Sequence, residues 1–391
     1  MPIQMKTASE TERRYDLDWI RVAAVFLLVP FHSALIFSHQ PDDVVYIKDL
    51  VESNVLKQLA YFVDLWHMPL LFFISGAGTW FALAFRSGRQ YLEERFLRLF
   101  IPLLFAVTIL IPPMVYLQHA GTGEFASFWA FYPQFFHINV SDLSGLSGNF
   151  TPAHMWFVLF LFVYAAVTLP LFLYLRHGGG QNATAWLAAR CEGSGVIFLL
   201  ALLPAMTALL PDIGGKAPFL YLTYFILGYA LMGDARFQQA MDRHKWVALG
   251  IGIIAALTVS PLARAGVSMV IIHIFYYLGR WSWIVALCGL GHAYFNRDHA
   301  FLRYANTISY PFYILHFLVN TLVGYFVVRW QVGVALKYLL INLATFAGLF
   351  VVIEVVRRIP VTRFLLGMKS PGGASRQPFE AKPALGGVEQ R

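Results

Sequence analysis

Apolar residues run along this chain in long blocks separated by short polar stretches, and ten of these blocks approach or reach the length of a membrane-crossing helix. They cover about residues 16–38, 59–85, 97–117, 154–175, 196–211, 218–233, 246–262, 272–295, 302–328 and 335–357. The pattern predicts an all-α, polytopic membrane protein with about ten transmembrane helices. The first block lacks a small-x-small cleavage site and is followed by further blocks, so it reads as an uncleaved span and not as a signal peptide. The connection at 118–153 is the longest, rich in Phe, Ser, Gly and Asn and poor in charge, and is expected to lie on the membrane surface. A cytoplasmic segment at 1–15, a membrane domain at 16–368 and a disordered, Pro- and Gly-rich tail at 369–391 complete the expected organisation.

Composition supports this reading. Of the 391 residues 58% are hydrophobic and only 13% charged, which excludes an ordinary soluble domain. A net charge of +8 would suit nucleic acid, but the cations follow membrane topology instead. With the N-terminus cytoplasmic, the inner segments hold eighteen Lys and Arg residues and the outer segments six, which places both termini in the cytoplasm. No nucleic-acid partner is expected. Two cysteines, Cys191 in a polar stretch and Cys288 inside a block, give neither a disulfide framework nor a metal-ligand spacing, so no metal is expected.

The first block carries the chemistry. Arg21 and His32 stand eleven residues apart in it, about three turns and roughly 16 Å along one helix face. A charge and an imidazole inside a span point to a protein interior or a watery cavity. Pro30 frees a backbone carbonyl one turn before itself and is expected to kink the helix just below His32. At the depth of His32 the topology brings Asp64 and His67, three residues apart on the second block, and His154 and Trp156 at the start of the fourth. Tyr313 and His316 are further cavity candidates in the ninth block. Near Arg21 in depth lie Arg95 and Arg98, with Glu354 in the inner part of the last block. The arrangement suits acyl-CoA as co-substrate, with no tightly bound cofactor: guanidinium groups fork onto phosphate, the pantetheine arm matches the separation from Arg21 to His32, and imidazole accepts a hydroxyl proton. Asp64 or Asp18 is the candidate orienting carboxylate for His32. Each residue also has an ordinary reading, such as Arg21 snorkelling or pairing with Asp18, Glu354 pairing with Arg357 or Arg358, Arg280 marking a later start of its span, and Gly76 and Ser75 serving close helix contact.

Arg21 with His32, FFISG at 72–76, Arg95 with Arg98, HMWFVL at 154–159 and SYPFYILH at 309–316 together resemble the acyltransferase 3 family of integral membrane acyltransferases. The ends, RRYDLDWIRVAAVFLLVPFHSALIFS and IEVVRRIPVTRFLLG, are most similar to its glucans biosynthesis protein C branch. The resemblance implies ten core helices in a bacterial inner membrane and transfer of an acyl group, acetyl or succinyl, from cytoplasmic acyl-CoA to a hydroxyl of an extracytoplasmic carbohydrate, with periplasmic glucan the leading acceptor. It gives Arg21 and His32 the essential first-helix roles and Arg95 and Arg98 the cytoplasmic basic pair. The rival reading is a transporter or flippase of a lipid-linked sugar or small anion, in which Arg21 and His32 form a relay.

Overall fold

The computed structural model describes residues 13–39, 45–120, 124–139, 143–144, 146, 148–193 and 195–368. The expected tail and residues 1–12 of the expected N-terminal segment fall outside them. Among the described residues the regular structure is helical, apart from one isolated bridge between Ile213 and Lys216.

Helices α1 (Tyr15–Leu35) and α2 (Asn54–Ala84) come first. The continuous helix α3 (Gly88–His119) follows, and a short α4 (Phe128–Phe135) lies in the long connection. Then α5 (Trp156–Val167) and α6 (Leu169–Leu175) form a pair bent by 56°. Next come α7 (Gly178–Cys191), α8 (Val196–Thr207) and α9 (Pro218–Leu231). The chain continues through α10 (Ala235–Arg264), α11 (Met269–Phe295), α12 (Ala300–Val327), α13 (Val334–Val356) and α14 (Pro360–Leu365).

Seven of these are long and apolar enough to cross a membrane, and an eighth span is made where the bent pair acts as one. The count of about ten is not reached by length, because the blocks expected at 196–211 and 218–233 fold as the shorter α8 and α9. The first of these opens as a 3-10 helix, Val196–Ala201, after Gly195 at φ 67°, and ends at Thr207, short of the expected 211. The helix α7 was not expected, and Cys191 is its buried last residue. The seventh block is only the second half of α10, which starts at Ala235 behind an Asp234 cap. Likewise α11 starts at Met269, so Arg280 lies in mid-helix and not near a span end.

Helix α1 packs against α2, α11, α12 and α13, which makes it the centre of the bundle. Its N-terminus is clasped to α10: Arg14 forks onto buried Asp16 at 2.8 and 2.7 Å and reaches Gln238 at 2.6 Å. The peripheral α10 and α13 turn residues such as Leu257 and Leu343 outward, as lipid-facing helices do. Between α2 and α9 the backbones meet. A methyl group on Gly76 would strike the carbonyl of Phe225, and one on Gly228 that of Phe73. The small-residue reading of Gly76 therefore holds, whereas Ser75 bonds its own helix at the Leu71 carbonyl, 2.7 Å, and not across the interface. Helix α3 contains two π-turns, Phe96–Phe100 and Ala106–Leu110, each followed closely by proline. A proline cannot donate to the ladder, and a wider turn is one way to accommodate it.

Candidate functional site

Helices α1 and α12 run in the same direction and touch along their length. Near one end the guanidinium of Arg21 donates to the Asn306 side chain at 2.9 Å. Towards the other, the rings of His32 and His316 lie 5.0 Å apart, and the Asn320 amide donates to the Ser33 hydroxyl at 2.7 Å. The pair expected on α1 is thus matched along α12.

At the histidine end, three rings form a cluster. His316 is 5.0 Å from His32 and 5.1 Å from His154, and Phe317 closes the group at 4.5 Å from His32. Each histidine faces a backbone carbonyl through one nitrogen: His32 Nδ1 to Leu28 at 3.0 Å, His154 Nε2 to Ile314 at 3.0 Å, and His316 Nδ1 to Tyr313 at 2.5 Å. A carbonyl only accepts, so each of those nitrogens carries the hydrogen and the other is the acceptor in a neutral ring. The acceptor nitrogens of His154 and His316 are buried without a partner among the described residues. The cluster therefore presents proton acceptors, among them His32 Nε2. Among the described residues no group of three or more His, Cys, Asp or Glu side chains has the geometry to hold a metal ion.

Local backbone fixes His154. It follows Ala153, a non-glycine residue at φ 41°, in a 3-10 turn that leads into α5. Such a left-handed residue persists only where its surroundings hold it. Here Thr151 caps the Ala153 amide at 2.9 Å, and Tyr313 donates its hydroxyl to the His154 carbonyl. His67 also reaches α1, with Nε2 on the Ala24 carbonyl at 2.7 Å and its ring 6.3 Å from Phe31. Trp156 packs on Tyr221 at 5.1 Å, with the Lys216 ammonium 5.3 Å over its ring.

Asp64 and Asp18 lie elsewhere than against His32. The Asp64 carboxylate is 58% exposed and 3.9 Å from the Arg280 guanidinium. Asp18 pairs with Arg21 at 2.7 Å and with Arg13 at 3.2 Å. The group on His32 Nδ1 is the Leu28 carbonyl, because an imidazole one turn above a carbonyl in its own helix reaches it without leaving α1.

At the other end, Arg98 pairs with Glu94 at 3.3 Å and Arg95 lies 4.9 Å over the Tyr91 ring. Tyr310, one turn beyond Asn306 on α12, is within electrostatic reach of both arginines, and its hydroxyl has no partner among the described residues. Glu354 pairs with Arg357 at 2.8 Å and accepts from Tyr304 at 2.9 Å, as its ordinary reading expects. Sequence reasoning passed over Asn306, Tyr310 and Asn320. Their signal is the spacing of three or four residues from 306 through 310, 313 and 317 to 320, which puts polar and aromatic groups on one face of an apolar helix.

Beyond the histidines a cavity of about 740 Å³ opens, lined by Tyr46, Asp49, Gln118, Tyr325, Trp330 and Lys337 among others. Tyr46 stacks on Phe317 at 5.7 Å, and Phe317 on His32, so one aromatic layer separates the cavity wall from His32. Asp49 and Lys337, both buried, pair at 2.6 Å in that wall.

Residues 14–354 match the acyltransferase domain model of the acyltransferase 3 family, a range that contains α1, the histidine cluster, the pair Arg95 and Arg98, and Glu354. The chain belongs to the acyltransferase 3 family. This acyltransferase 3 protein is similar to curated proteins named glucans biosynthesis protein C. That of Salmonella heidelberg (strain SL476) is 22% identical over 380 residues, covering 92% of this chain and 96% of the relative. That of Salmonella schwarzengrund (strain CVM19633) is 21% identical over 379 residues, with the same coverage. No solved structure matches the chain. Membership, together with the seven or eight apolar spans, makes it a multi-pass membrane acyltransferase.

Proposed function

We propose that this acyltransferase 3 protein moves an acetyl or succinyl group from cytoplasmic acyl-CoA to a hydroxyl of an extracytoplasmic glycan, with periplasmic glucan the leading acceptor. The observation that carries the reading is His32. Its Nδ1 is tied to the Leu28 carbonyl, which leaves Nε2 basic inside an apolar bundle, about three turns along α1 from Arg21. The relatives named for glucan biosynthesis support the acceptor class.

With both termini in the cytoplasm of an inner-membrane protein, the CoA phosphates lie near Arg21, Arg95 and Arg98, with Glu354 at the rim of this donor mouth, and the thioester reaches His32. In this reading α8 and α9 and the bent pair complete ten membrane-embedded segments. The glycan enters from the cavity beside Tyr46, bringing a hydroxyl to the face of His32. His32 Nε2 takes the hydroxyl proton as the oxygen attacks the thioester carbonyl. The carbon–oxygen ester bond forms, the carbon–sulfur bond breaks, and the proton passes from His32 to the departing thiolate. In the covalent variant His32 Nε2 attacks first and hands the acyl group on. His67, His154 and His316 shape the cavity around it, with Tyr313 clamping His154 and Trp156 closing one side. Asp64 acts on His32 only indirectly, through α2, whose His67 bonds the Ala24 carbonyl of α1.

The test is mass spectrometry of surface and periplasmic glycans from cells with wild-type protein, with His32→Ala at matched membrane level, or with neither. A defined ester present only with the wild type is expected, and its mass names the acyl group. Identical ester profiles in all three, with a sugar accumulating on one side of the membrane, would replace the enzyme by a transporter. Trapping with labelled donor and no acceptor separates the two routes, because only the covalent one leaves label on His32.

A further inference from the structure

Arg280 is a buried charge in the bundle interior that the mechanism leaves unused. It sits at mid-helix in α11 with its side chain 7% exposed. A guanidinium there needs an anion and five filled donor positions. It has neither. Its best acceptor is the Asp64 backbone carbonyl at 3.4 Å. The Asp64 carboxylate stands at 3.9 Å and is itself 58% exposed, so it turns away from the cation it is closest to. The Arg280 Nε–H is buried with no partner among the described residues.

The surroundings are built for a negative group and not only for a cation. Tyr276 and Tyr277 hold the guanidinium plane, with their ring centres at 4.7 and 5.7 Å. The hydroxyls of Tyr221 and Tyr224 are within its electrostatic reach, and that of fully buried Tyr224 also has no partner among the described residues. The guanidinium thus carries a buried N–H without an acceptor among the described residues, and a second such donor, the Tyr224 O–H, lies within its electrostatic reach. Two donors around a planar fork match the two oxygens of a carboxylate. Two features place this group beside the acyl-transfer centre. Asp64 is one turn from His67 on α2, and Tyr221 packs on Trp156, the second residue after His154.

We propose that Arg280, with the hydroxyl of Tyr224, binds a ligand carboxylate inside the bundle. Two sources share that chemistry: a free carboxylate at the far end of the acyl group, or the carboxylate of an acidic sugar on the acceptor. The identification of the acyl end rests on the acyltransferase reading; the anion site does not.

The experiment is calorimetric binding to the full chain in nanodiscs, with monomethyl succinate, its neutral counterpart dimethyl succinate, and glucuronate as probes. Wild type is expected to bind one of the two carboxylates and to bind dimethyl succinate at least about tenfold more weakly, in keeping with a charged hydrogen-bonded pair. Arg280→Gln should abolish the binding. Tyr224→Phe should weaken it about tenfold while leaving the thermal midpoint unchanged, since that hydroxyl bonds nothing among the described residues. If Arg280→Gln does not fold, Arg280→Lys, which keeps the charge but loses the fork, takes its place beside Tyr224→Phe and should bind several-fold more weakly. Preference for monomethyl succinate assigns the acyl end, and preference for glucuronate assigns the acceptor. No binding of either carboxylate by wild type, equal binding of the neutral diester, or affinities unchanged in the Arg280 and Tyr224 variants would overturn the proposal. His32→Ala should bind as wild type does, and a wild type that binds the carboxylate yet transfers no acyl group counts against the acyltransferase reading and not against this site.

Discussion

The ring of His316 stands 5.0 Å from that of His32 at an interplanar angle of 61°, although one histidine comes from the first long helix and the other from α12. The backbone carbonyl of Tyr313 holds the His316 Nδ1 hydrogen and leaves Nε2 as an acceptor. In the proposed mechanism His316 Nε2 is a second acceptor near the proton that His32 collects. Replacing it with Phe keeps the ring and removes both nitrogens. His316→Phe should lower kcat by roughly 10-fold to 100-fold, the worth of one hydrogen bond to a charged group, with little change in donor KM, measured by labelled acyl transfer in membranes.

Arg21 gives the complementary result. It donates to Asp18 at 2.7 Å and to Asn306 at 2.9 Å while keeping 42% of its side chain exposed, so it has donors left for a ligand. Arg21→Lys retains the charge and loses the planar fork. The expected outcome is a donor KM raised by about tenfold or more with a smaller change in kcat, read from initial rates over a range of donor concentrations.

Gly76 and Gly228 test the packing between α2 and α9. An added methyl on either meets backbone atoms of the partner helix, which cannot rotate away. Gly76→Ala and Gly228→Ala should each destabilise the bundle by about 1–3 kcal/mol. Gly78→Ala, two residues along α2 with open space around its position, should be neutral or slightly stabilising. Thermal midpoints in detergent distinguish the three.

Asp49 and Lys337 form a buried pair at 2.6 Å, and the lysine also donates to the Val328 carbonyl at 2.8 Å. Removing one partner strands the other. Asp49→Ala is expected to cost about 3–5 kcal/mol, and the double change to Asp49→Ala with Lys337→Met to recover part of it. Denaturation of the purified variants checks both.

One acid dependence follows from Asp234, the cap of α10. Burial pushes its carboxyl up, but hydrogen bonds from the Arg236 side chain and backbone, with that residue's charge, outweigh burial and hold it below the usual carboxylate range. A folded value below the unfolded one stabilises the fold above the ordinary carboxylate pKa of about 3.9, and that contribution is lost as the pH falls through the folded value. The difference in thermal midpoint between wild type and Asp234→Asn should therefore be present at neutral pH and shrink as the pH is lowered below about 4.

The sequence by itself determined the class of the protein, its helical character and the first-helix pair. A run of apolar residues has one stable form in lipid, because only a helix satisfies its own backbone there, and an Arg and a His in such a run are costly enough to stand out from composition alone. The same reasoning marked Gly76, since a glycine in an apolar helix usually serves a close approach. It did not fix which short blocks span, as α8 and α9 depend on what packs around them and not on their own length.

Only the tertiary structure decided who meets whom. His32 and His154 were candidates at a common depth and His316 a cavity candidate in another block, but their convergence depends on α12 lying parallel to α1, with Asn306 and Asn320 bonding to it. Linear spacing cannot encode that contact between remote segments. Asp64 shows the limit most clearly. Its depth and helix face were legible, yet its nearest charged partner is Arg280 on α11, because the neighbour that fills the space beside a helix face is chosen by the packing of the whole bundle. His32 is oriented by a carbonyl of its own helix, a group that every residue carries and that no sequence pattern marks.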